Sequence, residues 1–168
     1  MSKESVRAVL VRYYDEIWNQ GRLEVCDELI APDYVNHSAP LPDLTPGPEG
    51  LKQTVAAVRR AFPDVHYTIE DMVIGRNKAA LRVTMRGTHR GEFLGVAPTG
   101  RAIEVQEHPI EHLRDGQIVA HWHQIDDLGL QRQLGLLPHQ RWLVIFRFRG
   151  RLSAAEAPEG VQNGSRTR

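Results

Sequence analysis

The spacing of apolar residues changes at Pro63, and that change limits the possible folds more than any other feature of the chain. Before it, Val6, Val9, Leu10, Tyr13, Tyr14, Ile17 and Trp18 recur at intervals of three and four residues, the repeat of one helix face. Asn19-Gln20-Gly21 stops that helix. A short second helix is expected over Leu23 to Ile30, ended by Ala31-Pro32 because proline disfavours helix at the residue before it. Pro40, Pro42, Pro46, Gly47 and Pro48 make the next segment a loop, since proline removes backbone donors and fixes φ. A third helix starts near Pro48, with Leu51, Val55, Val58 and Phe62 on one stripe.

Beyond Pro63 the period falls to two. Val65, Tyr67 and Ile69 alternate with His66, Thr68 and Glu70, and Ala79, Leu81, Val83 and Met85 alternate with Ala80, Arg82, Thr84 and Arg86. Gly75-Arg76-Asn77 joins these two runs as a hairpin turn. Two further runs, Ile103 to Leu113 and Gln117 to Ile125, flank Arg114-Asp115-Gly116, whose Asp-Gly step is a hairpin signal. Helices followed by an antiparallel meander give an α+β class, with helices on one face of a curved sheet. Residues 1–137 are expected to form one domain and 138–168 a C-terminal extension, disordered from about Ser153, in which Trp142 to Phe146 is a short apolar run.

Composition removes several classes of function. The 168 residues carry 21 Lys plus Arg against 21 Asp plus Glu, so no net field draws the chain to nucleic acid or to an anionic membrane. No run approaches the roughly 20 apolar residues of a membrane helix. The amino terminus becomes amphipathic and charged at once, without the apolar core of a secretion signal, and a soluble cytoplasmic protein is expected. The one cysteine, Cys26, cannot form an internal disulfide and reads as a buried structural thiol.

Four blocks carry a resemblance. They are Asp27 to His37 with its Ala31-Pro32-Asp33-Tyr34 core; Pro46-Gly47-Pro48-Glu49-Gly50 followed by Ala61-Phe62-Pro63-Asp64; the loop Gly87-Thr88-His89-Arg90-Gly91-Glu92-Phe93-Leu94-Gly95-Val96-Ala97-Pro98-Thr99-Gly100; and Gly116 to Val119 continuing through Trp122, Asp126, Gly129-Leu130 and Gln133-Leu134-Gly135. In this order and spacing the chain resembles the SnoaL-like polyketide cyclases, also called ester cyclases, of the superfamily that includes nuclear transport factor 2 and ketosteroid isomerase. The resemblance spans roughly Val6 to Leu136. It implies a cone-shaped α+β barrel, with about three helices on the concave face of a curved antiparallel sheet. It also implies an intramolecular aldol condensation without a cofactor, in which a pocket carboxylate takes a proton from carbon beside a carbonyl, and it gives Asp126 that position.

The residues themselves leave alternatives. On a regular strand Trp122, Gln124 and Asp126 share one face and His121, His123 and Ile125 the other. If the first face lines an apolar cavity, desolvation raises the Asp126 pKa toward one suited to carbon acids. Spacing alone favours Asp126 or Asp127 as the cap of a helix starting at Leu128; the resemblance reverses this for Asp126, assigns it to the site and leaves Asp127 as the cap. Counting back across the hairpin sets His112 near Ala120 and His108 toward Gln124 and the Asp126 end, so His108 is the expected polar support of the base. Asn36 and His37 after a helix end, together with Trp122, Gln124 and His112, are the expected substrate contacts. His108, His112, His121 and His123 invite a metal, but no cysteine and no compact helical His pair supports one, and no metal site is assigned. Glu104 and Glu107 stand as possible second carboxylates.

The expected function is therefore ring closure or isomerisation of a hydrophobic carbonyl-bearing small molecule, with a non-catalytic binding module or a hydrolase of the same fold as the alternatives. Leu81, Val83 and Met85 are expected to leave an apolar outer sheet face, covered by a second copy in a dimer or tetramer.

Overall fold

The structure, a computed structural model, describes residues 1–38 and 44–137. The expected extension 138–168, with its Trp142 to Phe146 run, lies outside the described residues.

The first amphipathic stripe forms helix as expected, but with two windings. α1 spans Lys3–Arg12, capped by Ser2, whose side chain accepts from the Ser5 N–H. Tyr13–Asn19 continues as a π-helix. The wider turn brings Tyr13, Tyr14, Ile17 and Trp18 into the core together. Two clamps fix its end. Arg59 Nη1 donates to the carbonyls of Trp18 and Asn19, both at 2.8 Å, and the Asn19 side chain exchanges two hydrogen bonds with the Tyr67 backbone. The Arg59 clamp satisfies terminal carbonyls that the helix itself leaves open, and the Asn19 clamp ties the helix end to the Tyr67 backbone. After a 3₁₀ turn over Leu23–Val25, α2 is only Cys26–Leu29, and α3 runs Pro48–Ala61.

The strands are β1 Ile30–Asn36, β2 His66–Ile74, β3 Lys78–Thr88, β4 Ala102–Glu107, β5 Ile110–Arg114 and β6 Gln117–Trp122, followed by α4 Asp127–Leu134. They form one open sheet in the order β1-β6-β5-β3-β2, with β4 also on β3. Both expected hairpins form, β2 with β3 and β5 with β6. Asp115 and Gly116 both have positive φ, 51° and 88°, the type I′ geometry that an Asp-Gly step favours.

Three expectations need correction. Ile30–Asn36, read as a helix end followed by an unassigned stretch, is a strand, and it pairs parallel to β6, so the sheet is mixed and not wholly antiparallel. The run Ile103 to Leu113 is two strands. Pro109 has no N–H to give a ladder, and the chain breaks there: β4 pairs the Val83–Thr88 half of β3, and β5 pairs its Lys78–Ala80 end. Finally, Leu81, Val83 and Met85 do not form an open outer face. They are buried in the core with Val6, Leu10, Tyr13 and Phe62.

Candidate active site

Between the helices and the sheet lies a cavity of about 110 Å³. Its apolar wall comes from the π-helix (Tyr13, Tyr14, Trp18), from Val58 and Phe62 of α3 and its end, and from Leu130 of α4. Its polar wall is Glu107, His121, His123 and Asp127, with Asn36 on the β1 side. Phe93 and the exposed Leu94 belong to the same lining and mark the mouth.

The mouth is held in place by backbone contacts. The Asp64 carboxylate accepts from the Thr88 N–H and from the Thr88 hydroxyl, each at 2.7 Å, and the N–H groups of Arg90 and Gly91 both donate to the Ala61 carbonyl. A side chain at Gly91 would collide with the Arg60 carbonyl, which is the reason for glycine there. His89, fully buried, uses Nδ1 to accept from the Thr99 N–H at 3.3 Å and so closes the loop from below.

The polar wall contains one continuous chain of contacts. Glu111, at 0% exposure, has Oε1 at 2.7 Å from His121 Nδ1. His121 Nε2 is 2.8 Å from His123 Nδ1. The His123 N–H donates to the Ser38 hydroxyl at 3.1 Å, which fixes the strand end. β5–β6 pairing sets Glu111 directly opposite His121 on the inner face. Burial lowers the pKa of His121, but the charge and hydrogen bond of Glu111 together with the charge of Glu107 outweigh it, and the net shift is upward. His123 is pushed down to about 4, by burial first and by the His121 charge second. Burial pushes the Glu107 carboxyl up to about 7, with His121 opposing and Asp127 adding to the rise.

Strand parity is the reverse of the expected one. The cavity is lined by His121, His123 and Ile125, whereas Trp122 turns to the outer face. There Trp122 stacks on His37, with ring centroids 4.2 Å apart and planes 2° apart, and meets His112 at 4.6 Å. Gln124 and His108 are exposed, and His108 donates its N–H to the Gln124 carbonyl, the neighbour counted from the hairpin. Asp126 is exposed and sits at the N-cap of α4, its Oδ1 accepting from the Gly129 N–H at 2.8 Å. Asp127, the expected cap, lines the cavity instead. Of the expected contacts, Asn36 alone reaches the cavity; His37, Trp122 and His112 gather outside it, and Asp126 and His108 do not join them. The four histidines divide between the two faces of the sheet, and among the described residues no group of three or more His, Cys, Asp or Glu is arranged to hold a metal ion. Sequence reasoning missed Glu111 and His121 as a pair, although the hairpin register that set His112 near Ala120 also sets Glu111 opposite His121.

A family model described as SnoaL-like polyketide cyclase matches residues 8–134. The chain belongs to the SnoaL-like polyketide cyclase family. It is 31% identical over 133 residues to the aklanonic acid methyl ester cyclase AcmA of Streptomyces galilaeus, covering 78% of this chain and 92% of that one. It is 30% identical over 120 residues to the nogalonic acid methyl ester cyclase of Streptomyces nogalater, covering 70% and 89%. Among solved structures, TsrD from Streptomyces laurentii superposes with a TM-score of 0.75 at 30% identity, covering 82% of this chain and 99% of TsrD. Family membership accounts for the α+β architecture and for a cyclase-like enzymatic role on a hydrophobic small molecule. Among the described residues no helix is long and apolar enough to cross a membrane.

Proposed function

We propose that this SnoaL-like cyclase closes a ring by intramolecular aldol reaction in an aromatic polyketide-like methyl ester, using side-chain acid/base groups alone. The observation that carries the reading is the Glu111–His121–His123 chain: His121 and His123 stand with Glu107 at one wall of an otherwise aromatic and aliphatic cavity, and Glu111 lies buried behind His121. Apolar surroundings with a few convergent titratable groups of shifted pKa are what proton transfer to and from carbon requires near neutral pH. The acid/base role thus passes from Asp126 and His108, which lie outside the cavity, to this cluster. A cavity of about 110 Å³ is smaller than the engineered cavity of about 150 Å³ that takes up benzene, so it encloses at most about one ring. The reacting end of the substrate therefore enters, and the remaining rings extend through the mouth at Phe93 and Leu94.

The test is incubation with aklanonic acid methyl ester and with nogalonic acid methyl ester, followed by chromatography and mass spectrometry. A new product of unchanged mass supports ring closure, and His121→Ala should reduce its formation by about 100-fold or more. A product heavier by one water would indicate hydrolysis. Bound but unchanged ester would make the protein a binding module. For assembly we propose a dimer through the outer sheet face, where Val35 and Ile110 are exposed beside Trp122.

A further inference from the structure

We propose that Glu111, His121 and His123 form a two-ring proton relay: His123 Nε2 is the atom that meets the substrate, His121 stores the proton, and Glu111 is a positioning residue. The chemistry rests on the cyclase reading of this cavity; the wiring rests on the contacts alone.

The contacts leave little choice of wiring. Glu111 is fully buried, and its Oε2 has no partner among the described residues, so the hydrogen bonding of this carboxylate goes to His121. An ionised carboxylate can only accept, so His121 Nδ1 carries a proton. The 2.8 Å contact between His121 Nε2 and His123 Nδ1 holds one proton between two nitrogens. Two states follow. When His121 is neutral, His123 donates from Nδ1 and offers Nε2 as a lone pair. When His121 is a cation, it donates from Nε2, and His123 presents N–H at Nε2. No described residue hydrogen-bonds His123 Nε2, and His123 lines the cavity.

An aldol closure uses both states in turn. Nε2 of His123 takes the proton from the substrate carbon, whose C–H electron pair becomes the enolate. The Nδ1 proton moves to His121 Nε2, and the resulting cation faces Glu111. The enolate carbon then bonds to the carbonyl carbon, and the carbonyl π pair becomes an alkoxide. The alkoxide takes the proton from His123 Nε2, and the proton on His121 Nε2 returns to His123 Nδ1. No net proton or electron is consumed. The titratable groups around the rings are Glu107 of β4, Glu111 of β5, Asp127 at the start of α4, Tyr13 and Tyr14 of the π-helix, Tyr34 of β1 and Tyr67 of β2. They include no cation: against the lowering by burial, Glu111 and Glu107 shift His121 up, while burial and the His121 charge shift His123 down, which matches the direction of transfer.

The experiment is ¹⁵N-histidine NMR of the full chain from about pH 5 to 9, with ring signals assigned from His121→Ala and His123→Ala. His121 should titrate above the ordinary 6.5, and through that same transition His123 should move its proton from Nδ1 at high pH to Nε2 at low pH while remaining neutral. Two rings titrating independently would overturn the relay. Glu111→Gln removes the negative charge and should shift the His121 transition to lower pH; an unmoved transition in the folded variant overturns the role of Glu111. If Glu111→Gln does not fold, His123→Gln and His123→Phe decide: each should lose at least about 100-fold in kcat with the His121 transition still present. Full turnover by folded His123→Phe refutes the substrate end. Wild-type protein that shows the linked NMR transition but converts no ester keeps the relay and sinks the cyclase reading, whereas turnover with uncoupled rings does the opposite.

Discussion

Substitution of Asp126 separates the geometry from the expectation that this residue is the base. Its carboxylate lies outside the cavity and accepts one hydrogen bond, from the Gly129 N–H at 2.8 Å. Asp126→Ala removes that cap and should cost about 1 kcal/mol, within a range of about 0.5 to 2. For a domain of this size that lowers Tm by about 4 °C. Asp126→Asn keeps an equally good cap and loses only the charge against the start of α4, worth about 0.3–1 kcal/mol. Both variants should keep kcat within about threefold of wild type, with some rise in KM for Asp126→Ala because Leu130 of the frayed helix lines the cavity. The assays are thermal denaturation by circular dichroism and ester-cyclisation kinetics. A general base contributes about 10²- to 10⁴-fold. A loss of that size in folded Asp126→Asn would refute the placement and restore Asp126 as the proton acceptor.

Three further outcomes follow from other sites. Glu107, whose folded pKa of about 7 exceeds the ordinary 4.5, favours folding while protonated; its contribution is complete below pH 4.5 and is lost as pH rises through 7. Urea denaturation at a series of pH values should therefore show a steeper fall for wild type than for Glu107→Gln across that window, and identical slopes would count against a buried Glu107. The Cys26 thiol, buried and pushed up to about 11 chiefly by burial, should react with a chromogenic disulfide at pH 8 only after denaturant is added. Light scattering at low micromolar concentration should give a dimer mass, and Ile110→Asp on the outer face should give a monomer; a wild-type monomer would remove the proposed interface.

The elements that announced themselves in sequence did so through strong local signals. The change of period at Pro63, the Asp115-Gly116 turn and the stripe from Val6 to Trp18 each depend on neighbours a few residues away. β1 gave no such signal. Its Ala31-Pro32 step reads as a helix end, and its partner is β6, with Ile30 opposite Ile118. The site was partly legible for the same reason. Alternation shows that His121 and Trp122 face opposite ways but not which of them faces inward, because Trp122 is as apolar a candidate as any cavity residue. That choice is made by tertiary contacts, the stacking of His37 on Trp122 outside and the buried Glu111 inside. The interruption at Pro109 is visible in the chain, but Leu113 falls in the register of Ile103 and Val105, so the run reads as one strand.

The long-range pairing of β1 also bears on how the domain comes to be folded. β1 is an edge strand whose ladder partner lies nearly ninety residues later, and pairings of such separation carry the largest loop-closure cost and the slowest formation. During synthesis the helices and the β2–β3 hairpin can assemble first, but the wall bearing Asn36 has nothing to pair with until β6 has emerged. The ligand chamber is thus among the last parts of the molecule to exist, and a nascent or truncated chain ending before Gln117 would hold much of the core while having no enclosed site to fill.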